Sequence, residues 1–455
     1  MDIKEFIKSK ETEMKALLGG LVGCQSVQGE YTDGQPFGAE PARALDMMLD
    51  AAEKLGFSVK NIDGYCGCAD YLPEGAEEIK LGILCHLDVV PAGEGWTLPP
   101  YELTEKDGNL YGRGTTDDKG PAVSALYALY AVKELGYKLK SGVRLIFGIN
   151  EENGSEDIEY YLTKEKMPPM TFTPDANYPV INCEKGMVRV GFSLPLPDGA
   201  VKNISGGQVI NAVPSRAKAE IDVRFKDILN TAAEKYENIT VTESDGLVTI
   251  SYEGKSAHAS TPESGINAIT GLLGFLRGID FGGQNIALSA LTELFPVGET
   301  DGSSLGIKLC DEVSGGLTEV LSIIDTNDGQ LDCRMDIRFP VCSSKAEIHE
   351  RLTAAFSDKG ISITEYTGSE PHYVDGDSEL VKALLAVYES FTGEKAECIS
   401  IGGGTYVHEI DGGVAFGIEH EGKDYKIHGA DEYLPISEFI ENTEIFAAAI
   451  VKICG

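Results

Sequence analysis

His86 and Asp88 stand directly after an apolar run, Leu81 to Cys85, in an H-x-D spacing. In a parallel sheet, ligands gather beyond the carboxyl ends of strands. A metal-binding imidazole commonly donates its second nitrogen to a carboxylate, which fixes its tautomer. Asp88 suits that part or direct metal binding; a structural histidine at a strand end is the ordinary alternative. The next segment, YGRGTTDDKGP at 111–121, is glycine-rich and leads into a helix. It lacks the G-x-x-x-x-G-K-S/T pattern, and Asp117-Asp118 would repel phosphate. The paired aspartates suit a helix cap or, for one of them, a bridge between two divalent cations through hard oxygen ligands.

A second apolar run, Val143 to Ile149, ends in Asn150-Glu151-Glu152. Neighbouring side chains on an extended segment point in different directions. One carboxylate can therefore hold a metal while the other takes a proton from water. In so acidic a chain a lone Glu-Glu pair reads as a solvated turn, but acids recur at the ends of apolar runs. Asp175, in TFTPDANYP, and His428, in YKIHGADE, taken singly, are an ordinary turn aspartate and a surface histidine. The chain has only 7 histidines, so their placement is informative. Together these segments supply two histidines and at least three carboxylates, enough for a two-metal hydrolase.

Such residues need a scaffold, and the pattern around them describes one. Apolar spacing predicts a helix over 40–56, ending at Gly56, and another from Pro121 to Leu135 with proline in its first turn. Helices alternating with continuous apolar strands imply an α/β domain with a mainly parallel sheet covered by helices. Between 188 and 376 the texture changes to short alternating segments such as VRVGFSLPL, AEIDVRF, VTISYEG and LDCRMDIRFP. These read as half-exposed antiparallel strands, with helical stretches near 264–278 and 344–357. This α+β region is readable as two related halves, although no sequence repeat is visible. From 377, ELVKALLAVYESFTG and GVAFGIE restore the helical and buried-strand character. The expected layout is a catalytic domain from 1–187 and 377–455, interrupted by an inserted lid domain over 188–376.

Composition narrows the functions. The 455 residues suggest two or three domains, and 73 acidic against 38 basic residues give a formal charge of -35. A surface that negative repels phosphate backbones and anionic membranes, so neither nucleic acid nor membrane is an expected partner. The opening MDIKEFIKSKETEM reads as a charged amphipathic helix without the apolar stretch of an export signal, so a cytoplasmic location is expected. The 10 scattered cysteines form no paired framework and read as reduced thiols, mostly buried.

The ordered set HLDVVP, GRGTTDDKGP, NEENGSED, TPDANYP and IHGADE resembles the co-catalytic dinuclear metallopeptidases that include carnosinases, aminoacylases and the bacterial PepV-type dipeptidases. The resemblance covers nearly the whole chain and is closest to the PepV-type dipeptidases. It implies that Asp117 bridges two metals, with a cis peptide to Asp118. His86 and Asp175 would complete one metal site, and Glu152 and His428 the other. It further implies that Glu151 is the general base and that Asp88 orients His86. In the inserted region GKSAHASTPESGINA matches a lid motif, which makes His258 the stabiliser of the oxyanion. Asn211 in NAVP and Arg338 in DIRFP would contact the substrate, at its carboxylate, and Gly403, Gly404 and Thr405 belong to a segment like the family's substrate-backbone loop. One departure is Asn150, where the family usually places an acid before the Glu pair; with the pair intact, this should tune the site and not abolish it.

Within the likeness, dipeptidase members carry Asp at the position of Asp175, whereas deacylases tend to carry Glu. The long insertion is compatible with a complete site in a monomer. The implied activity is hydrolysis of unblocked dipeptides, with two divalent cations, zinc first and manganese or cobalt as alternatives. The rival readings are an amidohydrolase that deacylates N-acyl amino acids and a binding protein that has lost catalysis.

Overall fold

The run Leu81–Cys85 is wholly buried, as a continuous apolar sequence requires of a strand covered on both faces. In the computed structural model, which describes residues 2–455, it forms the strand Ile79–His86 at the centre of a sheet. Gly142–Gly148 and Met170–Thr173 flank it in parallel, and Val414–Ala415 adds a further parallel strand beside Met170–Thr173. Beyond Gly142–Gly148 the sheet ends in two antiparallel strands, Cys66–Tyr71 and Ser58–Ile62. The register pairs His86 with Gly148. The two strands thus stop level, and Glu151-Glu152 emerge beside His86.

Helix Lys119–Glu134 is buried around almost its whole circumference, which its sequence KGPAVSALYALYAV permits. It packs against Ile3–Val22 and Ile436–Cys454 over the central strands, in one apolar core. The expected helix over 40–56 is Ala39–Lys54, and ELVKALLAVYESFTG forms Glu379–Thr392. The segment GVAFGIE is broken into two short strands, Val414–Ala415 and Ile418–Glu419. Gly417 turns the chain between them at φ 87°, where a Cβ would also strike the Tyr178 ring.

By contact density the chain divides into two units: Met1–Asn182, Tyr373–Ile399 and Gly404–Gly455, and then Cys183–His372 with Ser400–Gly403. The second unit holds an eight-stranded sheet of antiparallel pairs. Its order runs Ile239–Ser244, Leu247–Glu253, Arg216–Asp222, Val201–Gly206, Thr318–Asn327, Gln330–Phe339, Gly186–Pro195, Ser362–Ser369. Each half holds a hairpin followed by a helix and an edge strand, Lys226–Ala233 in one and Lys345–Ser357 in the other, with a fourth strand, Leu247–Glu253 or Gly186–Pro195, between hairpin and edge. The halves meet at Val201–Gly206 and Thr318–Asn327. The two helices expected here are Ala268–Arg277 and Lys345–Ser357. The chain adds Lys226–Ala233 and Asn285–Leu294, neither of which has a side-chain cap.

The 10 cysteines are unpaired and mostly buried. No helix among the described residues is long and apolar enough to cross a membrane.

Candidate metal centre

Strand ends and helix starts of the first unit bring His86, Asp117, Glu151, Glu152, Asp175 and His428 together. They form two groups, His86 with Glu151 and Asp175, and Asp117 with Glu152 and His428, with ligand atoms within 4.8 Å of one another in each. Asp117 links the groups. Its Oδ1 is 2.9 Å from His86 Nε2 and its Oδ2 is 2.9 Å from His428 Nε2. His86 Nε2 also lies 3.5 Å from Asp175 Oδ2, and His428 Nε2 lies 3.1 Å from Glu152 Oε2. The Asp117–Asp118 peptide is cis.

Main-chain geometry fixes each group. The His86 ring donates from Nδ1 to the Asp88 carbonyl at 3.1 Å, which leaves the Nε2 lone pair facing the cluster. The His86 main-chain N–H donates to Asp118 Oδ2 at 2.9 Å. Asp88, fully buried, turns its carboxylate to the N–H groups of Glu151 and Glu152, each at 3.1 Å. The Glu pair opens a single 3-10 turn, Glu151–Asn153, so its amides are free to donate in this way. Just upstream, Asp157 accepts from the N–H groups of Ile149 and Asn150, at 2.6 and 2.9 Å, and from the Tyr406 hydroxyl. Gly148 is obligatory at that point, since a Cβ would collide with both Tyr406 and Asp157. Asn150 turns its side chain into this loop and accepts from the Glu156 N–H at 3.2 Å.

A second buried carboxylate secures Asp117. Glu432 accepts from Arg113 Nη1 at 2.7 Å and from the N–H groups of Gly114, Thr116 and Asp117 at 3.0, 2.9 and 3.3 Å. Sequence reasoning passed over Glu432, Asp157 and Tyr406, although Glu432 ends the IHGADE motif. Glu419 was missed as well. It is half-buried, and burial followed by the charges of Asp175 and Asp117 pushes its carboxyl up to about 7.

The electrostatics call for cations. Burial raises the carboxyls of Glu151, Glu152 and Asp175, and nearby acids add to that rise. Asp117 is held low by His428 and His86 against its burial. The same contacts, Asp117 first and then Glu152, push His428 up to about 10. His86 is raised well above its ordinary value because its carboxylate neighbours outweigh its burial. His86 Nε2 is buried and has no hydrogen-bond partner of acceptable geometry, in spite of its 2.9 Å approach to Asp117. Lone pairs that converge on common points in this way fit metal ions, and imidazole with carboxylate suits borderline to hard divalent ions.

In the second unit, Ala212 bridges to His258, and Asn211 accepts through its carbonyl from the Ala259 N–H at 3.0 Å. His258 Nδ1 accepts from the Ser260 N–H at 3.2 Å and sits 2.7 Å from the Ser260 hydroxyl. That places the ring proton on Nε2. Burial, then Arg338, lowers its pKa and keeps the ring neutral. Arg338 is paired with Asp336 at 2.6 and 3.0 Å and donates to the Gly402 carbonyl at 2.8 Å. The expected lid residues Asn211, His258, Arg338 and Gly403 thus fall in this unit, while Gly404 and Thr405 open the segment that carries Tyr406 in the first.

Comparison with known proteins gives this arrangement a family. The sequence pattern described as Peptidase family M20/M25/M40 matches residues 82–452. The chain belongs to that family. It is 37% identical over 447 residues to YtjP of Bacillus subtilis (strain 168), provisionally named a dipeptidase, with 94% of each chain covered. It is 33% identical to the Beta-Ala-Xaa dipeptidase of Lactobacillus delbrueckii subsp. lactis, over 100% of this chain and 98% of that one. Among solved structures, human carnosine dipeptidase 1 shares the fold with a TM-score of 0.60 at 18% identity, covering 99% and 98% of the two chains.

Proposed function

We propose that this chain is a metal-dependent dipeptidase that hydrolyses the peptide bond of unblocked dipeptides. The observation that carries the reading is Asp117, whose two oxygens face His86 and His428 separately, as a bridging carboxylate does. In this reading His86 and Asp175 hold one cation, Glu152 and His428 the other, and Asp117 both. Bound there, two divalent ions supply an acidified water and a polarised carbonyl. Glu151 takes the proton of the attacking water and returns it to the leaving amine. Asp88 orients the Glu pair through its amides and the His86 ring through its own carbonyl. His258, with its proton on Nε2, is a ready donor to the developing oxyanion. Asn211 and Arg338 would hold the substrate carboxylate, and Gly403, Gly404 and Thr405 its backbone.

Zinc is the first candidate ion, with manganese and cobalt next. A small peptide partner, a cytoplasmic location and a self-sufficient monomer complete the proposal. The dipeptidase names of the relatives support the substrate class. The test is a hydrolysis panel on chelator-stripped protein with each ion restored. Ion-dependent cleavage of Ala-Ala and β-Ala-Ala, with tripeptides and N-acetyl amino acids resistant, is expected. Preference for the acetylated compounds would replace the reading with an N-acyl amidohydrolase.

A further inference from the structure

The strand Ile418–Glu419 runs parallel to Ala176–Asn177, pairing Ile418 with Ala176 and Glu419 with Asn177. The Ala176 N–H donates to the Gly417 carbonyl and the Tyr178 N–H to the Glu419 carbonyl, both at 2.8 Å, so the register is unambiguous. Residues two apart on a strand share a face, and so do cross-strand partners. Ile418 and Ala176 therefore take one face, where they are buried, and Asn177 and Glu419 take the other. Asp175, in the bend just before Ala176, lies 3.5 Å from His86 Nε2, and its charge also acts on Glu419.

Glu419 lies outside both metal-ligand groups. Burial and the charges of Asp175 and Asp117 act on its carboxylate, and no hydrogen bond or ion pair among the described residues compensates them. The two acids whose charges reach it are engaged elsewhere, Asp175 with His86 and Asp117 with both imidazoles. An unpartnered, half-buried carboxylate costs free energy until a cation meets it, and the two cations of the dipeptidase reading would be held by other residues. Building on the dipeptidase reading, we infer that Glu419 is the counter-ion for a cationic amine of the bound substrate and thereby sets the requirement for an unblocked peptide. The N-terminal ammonium and a lysyl side chain offer the same chemistry.

The experiment compares wild type with Glu419→Gln, an isosteric change, on Ala-Ala, Lys-Ala and propionyl-alanine, which lacks the amine. Metal content is measured alongside. The wild-type panel alone decides whether the protein is a dipeptidase; the variant's discrimination decides the role of Glu419. The expected result is a fall of roughly tenfold to hundredfold in the preference for Ala-Ala over propionyl-alanine, seen mainly in KM, at unchanged metal content. A loss confined to Lys-Ala assigns the recognised amine to the side chain and overturns the link to an unblocked N-terminus. An unaltered preference, an equal loss on propionyl-alanine, or a drop in bound metal overturns the inference.

Discussion

Arg113 and Glu432 form an ion pair 2.7 Å long whose side chains are 1% and 0% exposed. Glu432 also collects the amides of the turn that carries Asp117, while Arg113 Nη2 donates to the carbonyl of Gly429, the residue after His428. The pair therefore ties together the two turns whose side chains meet across Asp117 and His428. Glu432→Ala should destabilise the fold by about 3–5 kcal/mol, because Arg113 is left buried and unpaired. It should also weaken metal binding by roughly 10–100-fold. Thermal unfolding and metal titration check the two effects. The double change Arg113→Met with Glu432→Leu should recover part of the stability and none of the affinity.

Glu151→Gln should retain both metal ions and lose turnover by roughly a hundredfold to ten-thousandfold. Metal analysis beside single-turnover kinetics separates the roles. A variant that holds only one ion would make Glu151 a ligand, since its carboxylate lies in the group with His86 and Asp175.

Asp157 predicts a pH dependence of stability. Burial, with Asp88 nearby, pushes its carboxyl up to about 6 from an ordinary 3.8. Between those values the folded chain keeps a proton that the unfolded chain has lost. The stabilising contribution is therefore present below about pH 4 and fades as pH rises through about 6. Melting curves of wild type and Asp157→Asn from pH 4 to 7 should diverge on the order of 1–3 kcal/mol, with wild type losing ground as pH rises. Parallel curves would contradict it.

His258→Ala should leave metal content intact and lower kcat by roughly a hundredfold to a thousandfold, the usual effect of losing one oxyanion donor. Ser260→Ala removes one of two partners of Nδ1 and should cost less. A His258→Ala enzyme with a raised KM and normal kcat would assign the ring to substrate binding.

The parts legible in the sequence were those whose signal is local. His86 and Glu151-Glu152 follow apolar runs directly, and the strands ending there stop level in the sheet. Helices with a clear apolar stripe were equally plain. Glu432 was hidden because its partners are main-chain amides some three hundred residues earlier, and no spacing encodes that. Asp157 and Tyr406 meet only once the Gly148 strand end and the segment after the glycine loop are folded together. Asp88 was read as a partner of the His86 ring, which names part of its work, since its carboxylate serves the next strand. Glu419 sits in a segment read simply as apolar, and only the turn at Gly417 and the register with Asn177 assign it a face.

The strand Val414–Ala415 and the turn carrying His428 complete a centre whose other members lie between positions 86 and 175. On the ribosome, four acids and one imidazole of that centre precede the second imidazole by some two hundred and fifty residues of translation. Full loading with metal therefore waits until position 428 has been made. Until then the nascent chain presents only a half-built, strongly anionic pocket, and any truncated product stays without the ring that closes it.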